Sequence, residues 1–317
     1  MSLTSRRQFV AGALAANSLW GKNKIQHAQI SAISDEIARS PEAAIAFAHQ
    51  YGLKWLELRD VPGAKGRNYF LMDEADVRAA AKDFAANGIG ISFLNTNLLK
   101  FAMPGTEPVR RNPEDPAVRE RRLARERERF ERREADLRTC IRNAHILGCQ
   151  RLRVFTFSRV AEPQSIYPRV AEILNSFARI AESEGVSLLV ENETSCNVAT
   201  CAELAAMLKL TPSSAVGCNW DVDNGHAMGE IPLPDGYALL PGQRIHNIQI
   251  KGRSILNYPQ KLDWAAIFDA LARDGYKDCI GLETHIFGEV QVQKSHESMA
   301  AILKIVDPDF VPRATNL

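Results

Sequence analysis

The sequence predicts a parallel (β/α)8 TIM barrel, because short apolar segments alternate along it with longer amphipathic ones. The predicted strands are Ala28–Ile33, Trp55–Leu58, Ile89–Leu94, Arg151–Phe157, Ser187–Val190, Ala215–Val222, Ile245–Ile250 and Cys279–Leu282. Eight parallel strands joined by helices close into a barrel. The competing open sheet would need a glycine-rich phosphate loop after its first strand. Residues 30–36 contain no glycine, which favours the barrel.

Helix boundaries between these strands carry recognisable capping residues. Ser40 followed by Pro41 predicts an N-cap and a proline in the first turn. Asp73 precedes the next helical segment, and Asp263 is expected to cap a helix over Trp264–Asp274. These signals place helices between the predicted strands, as a barrel requires.

Residues 106–148 form an insertion-like segment within the predicted barrel domain 28–317. The segment begins with a loop broken by prolines and continues as a charged helix over Arg119–Arg138. Arginines and glutamates alternate in this helix at spacings of three and four residues, which is typical of a solvated helix rather than a nucleic-acid surface. The loop before it is a candidate lid over the barrel mouth.

The overall composition excludes several classes of partner. The chain has 317 residues, a formal net charge of +1 and a sequence pI of about 7.7. This balance gives no electrostatic reason to expect nucleic acid or an anionic membrane as a partner. Six cysteines occur without a Cys-x-x-Cys pair, so neither a disulfide framework nor a zinc–thiolate site is predicted.

The amino terminus resembles a twin-arginine export signal. Arg6 and Arg7 precede a short, weakly apolar segment that is too short to span a bilayer. Residues 1–27 are therefore predicted to be a signal or disordered, and the protein to be periplasmic or exported; a chance Arg-Arg would leave it cytoplasmic. No membrane contact is expected after signal removal, and a homo-oligomer is left open.

Polar side chains at the ends of the last four strands indicate a metal site. The candidate ligands are Glu191, Asp223, Gln249 and Glu283, separated by 32, 26 and 34 residues. One strand–helix unit of a barrel is about 30 residues long, so such spacing returns each side chain to the same rim. Carboxylate and amide oxygens favour one divalent ion, Mn²⁺ or Mg²⁺, with Zn²⁺ or Co²⁺ as alternatives.

Three short motifs carry a resemblance to a known family. The segments Val190-Glu191-Asn192, Asp223-Asn224-Gly225-His226 and Leu282-Glu283-Thr284-His285 resemble the xylose-isomerase-like barrel superfamily of sugar isomerases and epimerases. The resemblance implies metal ligation by Glu191, Asp223 and Glu283, and substrate contact by His226. Most members have histidine two residues before a lysine on the seventh strand, where this chain has Gln249; glutamine there resembles the hydroxypyruvate isomerase branch.

The expected chemistry is removal of a proton next to a carbonyl of a sugar or keto acid, through an enediolate. Glu191 and Glu283 come from opposed strands, so they are predicted to act as catalytic base and acid on a bound carbohydrate. Further candidates for substrate binding come from the rim of the barrel: His226, His285, Glu57, Asn95, Lys251 and Arg253.

Other functions remain open at this stage. A lyase or hydrolase of 3-keto-glycosides would use the same proton abstraction to expel a leaving group. An apurinic endonuclease would share the barrel but would need a histidine-rich three-zinc cluster, and the chain has seven histidines with few at strand ends. A barrel that binds sugar without turning it over is the third alternative.

Overall fold

The computed structural model describes residues 24–110, 112 and 114–314, and within them all eight predicted strands are present. The strands are β1 Ile30–Ala32, β2 Trp55–Leu58, β3 Gly90–Leu98, β4 Arg151–Val154, β5 Ser187–Glu191, β6 Val216–Asp221, β7 Ile245–Lys251 and β8 Cys279–Glu283. Every neighbouring pair is parallel, in the order β1-β8-β7-β6-β5-β4-β3-β2. A bridge between Ile33 and Glu57 joins the two outer strands, so the sheet is a nearly closed TIM barrel.

Helices connect these strands on the outside of the barrel. They are α1 Ser34–Ile37, α2 Pro41–Gln50, α3 Glu74–Ala86, α4 Pro116–Ile146, α5 Tyr167–Ser183, α6 Cys201–Leu210, α7 Val222–Ala227, α8 Tyr237–Leu239, α9 Gly252–Leu256, α10 Trp264–Arg273 and α11 Gln291–Val306. Two of the predicted caps are confirmed by hydrogen bonds: Ser40 accepts from the backbone N of Ala43, and Asp263 accepts from that of Ala266. Asp73 occupies the N-cap position of α3 without a side-chain cap.

The charged helix α4 is longer than its sequence pattern indicated and packs by one face. Leu137, Cys140 and Ile141 are buried against the barrel. The solvent face carries ion pairs four residues apart, including Arg132 with Asp136. The loop before this helix pairs with the segment after β4, where the backbone N of Val109 donates to the carbonyl of Arg159.

The interior of the barrel is polar at its carboxyl end, the mouth. TIM barrels ordinarily fill this space with branched apolar side chains. Here the buried residues of the strands include Ser31, Glu57, Asn95, Arg153, Glu191, Asn219, Asp221, Asn247, Gln249 and Glu283. Burying so many polar groups is costly unless they bind one another or a ligand, so this end of the barrel is the candidate site.

The predicted export signal lies largely outside the described residues, and the export route and the boundary at residue 27 stay predictions. Residues 24–27 are described: Ile25 is buried, and the ring of His27 lies 2.8 Å from Asp307. In the described part of the chain, no helix combines enough length and apolar character to cross a membrane. The six cysteines are buried free thiols.

Candidate metal centre at the mouth of the barrel

The sheet register brings the polar side chains of four neighbouring strands together. Three pairs set the arrangement: Glu191 with Asn219, Asp221 with Gln249, and Lys251 with Glu283. Residues two apart in a strand face the same side of the sheet, so Asn219 and Asp221 share the inner face of β6. The register places Glu191 and Glu283 at the carboxyl ends of β5 and β8, and their joint ligation of one metal ion, which the spacing predicted, stays a prediction.

Glu191 ends β5 and is almost completely buried. Arg153 of β4 places its Nη1 atom 3.2 Å from Glu191 Oε2, and the amide of Asn219 donates a hydrogen bond to the same oxygen. Burial raises the pKa of Glu191; Arg153 opposes this shift, while the carboxylate of Glu283 adds to it. Glu191 therefore sits where further positive charge would stabilise it.

Asp221, which was not among the predicted metal ligands, ends β6 and is fully buried. Its Oδ1 atom accepts from the backbone N of Asn224, and its Oδ2 atom lies 2.9 Å from Lys251 Nζ. Burial raises the pKa of Asp221, and Lys251 opposes the shift, while Glu283 and Glu191 add to it. Asp221 is thus the carboxylate of β6, and it shares Lys251 with Glu283.

Glu283 ends β8 between two cations. Arg59 Nη1 lies 3.2 Å from its Oε1 atom, and Lys251 Nζ lies 3.7 Å from its Oε2 atom. Burial alone would raise the pKa of Glu283, but Lys251 and Arg59 outweigh it and lower the pKa to about 2. Burial likewise would lower the pKa of Lys251, but Asp221 and Glu283 raise it. Lys251 is therefore an ammonium ion shared by two carboxylates.

Gln249 of β7 is hydrogen-bonded inside the barrel to Glu57 of β2. Both residues are fully buried, and Gln249 Nε2 donates to Glu57 Oε2 over 2.7 Å. Asn95 donates to the same oxygen, and Ser31 and Asn247 donate to Glu57 Oε1. Burial raises the pKa of Glu57 and these four hydrogen bonds oppose the shift.

Asp223 makes contacts different from those the sequence predicted for it. It lies two residues beyond β6, in the first turn of α7, where Ser254 Oγ donates to its Oδ2 atom over 2.5 Å and Lys261 Nζ lies 2.8 Å from its Oδ1 atom. No contact joins Asp223 to Glu191 or Glu283 among the described side chains. The structure therefore brings Asp221, rather than Asp223, to the inner face; metal ligation by Asp223 stays a prediction.

Three buried oxygen atoms at the mouth have no hydrogen-bond donor among the described residues: Asp221 Oδ2, Gln249 Oε1 and Asn95 Oδ1. The ammonium of Lys251 lies near the first of these, but outside hydrogen-bonding geometry. Buried acceptors without a donor are rare and call for an unplaced partner such as a water or an ion. These oxygens and the carboxylates of Glu191 and Glu283 are of the chemical type that a hard divalent cation takes as ligands.

A second set of acidic and imidazole groups lies at the rim beside Glu283. Within the described residues, the ligand atoms of Glu36, Glu283 and His285 lie within 4.8 Å of one another. Glu36 already accepts hydrogen bonds from Arg59 and from the backbone N of His285. Glu191 and Asp221 do not belong to this set, and their carboxylates are separated from Glu283 by cationic side chains.

The predicted substrate-binding residues divide into three groups. Glu57 and Asn95 are fully buried inside the barrel, and Lys251 is bound to Asp221. His285 lies at the rim with its Nδ1 atom 3.8 Å from Glu283 and its ring against that of Phe287. His226 lines a cavity of about 460 Å³ with Lys261, and Arg253 is exposed on α9.

Three further residues of the candidate site were not predicted from the sequence: the cations Arg59 and Arg153, and the rim carboxylate Glu36. A signal for Arg153 was available: in the segment Arg-Leu-Arg-Val of β4, alternation places Arg153 on the opposite face from Leu152 and Val154. The same alternation pairs Asp221 with Asn219 and leaves Asp223 beyond the strand. Arg59 directly follows β2, and the alternation of Leu56-Glu57-Leu58-Arg59 likewise places it with Glu57, opposite the two leucines.

Residues 45–304 match the family described as the xylose isomerase-like TIM barrel, and the chain belongs to this family. No curated protein matches the sequence. The family assignment agrees with the resemblance carried by the strand-end motifs.

Solved structures share the fold at low sequence identity. The IOLI protein with a bound zinc atom is 16% identical with a TM-score of 0.63, over 89% of this chain and 99% of that one. A xylose isomerase-like TIM barrel protein from Mycobacterium smegmatis, in complex with magnesium, is 14% identical with a TM-score of 0.61, over 89% and 99%. An L-ribulose 3-epimerase is 21% identical with a TM-score of 0.59, over 89% and 92%.

Proposed function

We propose that this chain is a metal-dependent enzyme that isomerises or epimerises a sugar or related polyol by moving a proton next to a carbonyl group. The observation that carries the proposal is the buried Gln249 Oε1, which has no donor among the described residues, beside the buried carboxylates of Glu191, Asp221 and Glu283. Membership of a family of sugar-processing barrels supports the carbohydrate substrate. Relatives of the same fold that hold zinc or magnesium support a divalent ion.

The residues that would hold the ion are Glu191, Asp221, Gln249 and Glu283. Asp221 replaces Asp223 in the predicted set because it faces Gln249 in the register and shares Lys251 with Glu283. A divalent ion bound there would polarise the carbonyl of the substrate and stabilise the negative charge that develops on proton removal. Mn²⁺ or Mg²⁺ is preferred because every ligand is an oxygen.

Glu191 and Glu283 would remove and return the proton. They belong to strands separated by β6 and β7, so their carboxylates approach the mouth from different sides. Each is held by an arginine, Arg153 or Arg59, which fixes the orientation of its oxygens. Fixed carboxylates on both sides of a bound polyol could exchange a proton at one carbon. His285, exposed at the rim, is placed to contact hydroxyl groups.

Two measurements test this proposal. Elemental analysis of purified protein should give about one divalent ion per chain, as expected of a single oxygen-ligand site. Incubation with ketohexoses in deuterated water should incorporate solvent deuterium at the carbon next to the carbonyl without cleavage of the sugar. Protein that binds no divalent ion, or that exchanges no proton on any ketose, would contradict the assignment.

A parallel incubation distinguishes the proposed isomerase or epimerase from a 3-keto-glycoside lyase or hydrolase. Incubation with oxidised glycosides should leave the glycosidic bond intact if the enzyme is an isomerase or epimerase. Release of the aglycone would reassign the enzyme to the lyase or hydrolase, with the same residues holding the ion.

A further inference from the structure

The orientation of the Gln249 amide is set by a single buried carboxylate. An amide can present either its oxygen or its nitrogen to a metal ion, and only the oxygen is a ligand. Gln249 Nε2 donates to Glu57 Oε2 over 2.7 Å, so Gln249 Oε1 must point away from Glu57. That oxygen is buried and has no donor among the described residues.

Both carboxylate oxygens of Glu57 accept two hydrogen bonds each, which hold the side chain in one orientation. Asn95 and Gln249 donate to its Oε2 atom, and Ser31 and Asn247 donate to its Oε1 atom. All four neighbours are donors in these contacts, which suits an acceptor-only carboxylate. The main chain makes room for it as well: a Cβ atom on Gly281 would lie 1.9 Å from Glu57 Oε1.

From this arrangement we infer that Glu57 is a positioning residue: it fixes the Gln249 amide with its oxygen toward the mouth, where that oxygen can serve as a metal ligand. The inference rests on the proposed function and deepens it, since it assigns to Glu57 a role in metal binding. It replaces the direct substrate contact that the sequence suggested for Glu57, a fully buried residue.

The test is a double-mutant cycle between Glu57→Gln and Gln249→Leu, with Mn²⁺ affinity measured by calorimetry and by electron paramagnetic resonance. We expect Glu57→Gln to weaken Mn²⁺ binding by about 10–100-fold, the range typical for residues that orient a ligand. In the Gln249→Leu background the same change should cause no further loss, because the amide it orients is gone.

The control is Thr211→Val, which removes a buried hydrogen bond to the carbonyl of Met207, ahead of β6 and away from Glu57 and the mouth. We expect it to bind Mn²⁺ like the wild type. Equal losses from Glu57→Gln in both backgrounds would mean that its negative charge alone matters, and would overturn the inference, as would unchanged affinity. Wild-type protein that binds no divalent ion would overturn the proposed function, and the inference with it.

A second variant covers the case in which Glu57→Gln does not fold. Combining Glu57→Gln with Gln249→Glu exchanges the carboxylate and the amide, so the total charge and an N–H···O contact between positions 57 and 249 are kept. The exchanged pair should bind Mn²⁺ more tightly than Gln249→Leu. Affinity no better than that of Gln249→Leu would count against a positioning role.

Discussion

The two ends of the barrel both carry ionic groups, partly exposed at the base and buried at the mouth, and they differ in how completely these groups satisfy one another. At the amino-terminal end, Asp278 binds Arg151 Nη2 over 2.5 Å and His246 Nδ1 over 3.0 Å, so one carboxylate has two partners. At the mouth, several carboxylates share cations, Lys251 Nζ lies 2.9 Å from Asp221 Oδ2 outside hydrogen-bonding geometry, and Gln249 Oε1 has no donor among the described residues.

This difference distinguishes the ion cluster at the base, which can stabilise the fold, from the candidate site at the mouth. Asp278 and its partners are each a quarter to a third exposed, so they can form with little loss of hydration. The mouth groups are buried, where unpaired acceptors and crowded carboxylates are costly. Such an arrangement is stabilised when a ligand completes it, which is the reason that the proposed function is assigned to the mouth and not to the base.

Removal of single carboxylates at the two ends of the barrel should have different consequences for activity. Glu191→Gln and Glu283→Gln should each reduce kcat/KM by about 10²–10⁴-fold, the usual contribution of a positioned acid or base. Asp278→Asn, at the other end, should leave kcat/KM unchanged. Steady-state kinetics on the ketose identified by proton exchange measure all three. An active Glu283→Gln enzyme would remove Glu283 from the chemistry.

Asp221→Asn and Asp223→Asn test which of the two aspartates is a metal ligand. Asp221→Asn should weaken Mn²⁺ binding by more than about 10–100-fold, since losing a ligand costs more than losing a residue that orients one. Asp223→Asn should have a smaller effect, because Asp223 binds Ser254 and Lys261. Calorimetric titration with Mn²⁺ measures both; the reverse order would restore Asp223 as the ligand.

Most of the fold, but only part of the site, could be predicted from the sequence. Strand positions followed from apolar segments, because burial on both faces of a parallel strand leaves a local signature. Glu191 and Glu283 were found because they end such strands. Asp221 was missed because two acids lie two residues apart in Asp-Val-Asp, and only the end of β6 decides which one faces inward. Arg59 was missed because its partners, Asp35 and Glu283, are distant in sequence.

Gly281 offers a smaller test, directed at the polar interior itself. Gly281→Ala would place a Cβ atom 1.9 Å from Glu57 Oε1. Overpacking of this kind should lower the free energy of unfolding by about 1–3 kcal/mol. Gly242→Ala is the matched control, since no atom lies within 4 Å of its Cβ position. Denaturant unfolding compares the two, and equal stabilities would show that the interior tolerates displacement of Glu57.

The smallest expected effect concerns the base of the barrel and depends on pH. Burial alone would raise the pKa of Asp278, but His246 and Arg151 outweigh it and lower the pKa. A depressed carboxyl pKa stabilises the fold fully above the unfolded value of about 3.9, and this contribution is lost as the pH falls through the folded value. Asp278→Asn should therefore cost about 1 kcal/mol near neutral pH, and the difference from wild type should shrink below about pH 4. Asp269→Asn, exposed on α10, should show no such pH-dependent difference in denaturant unfolding. A cost that stays constant down to acid pH would mean that the charge of Asp278 does not stabilise the base.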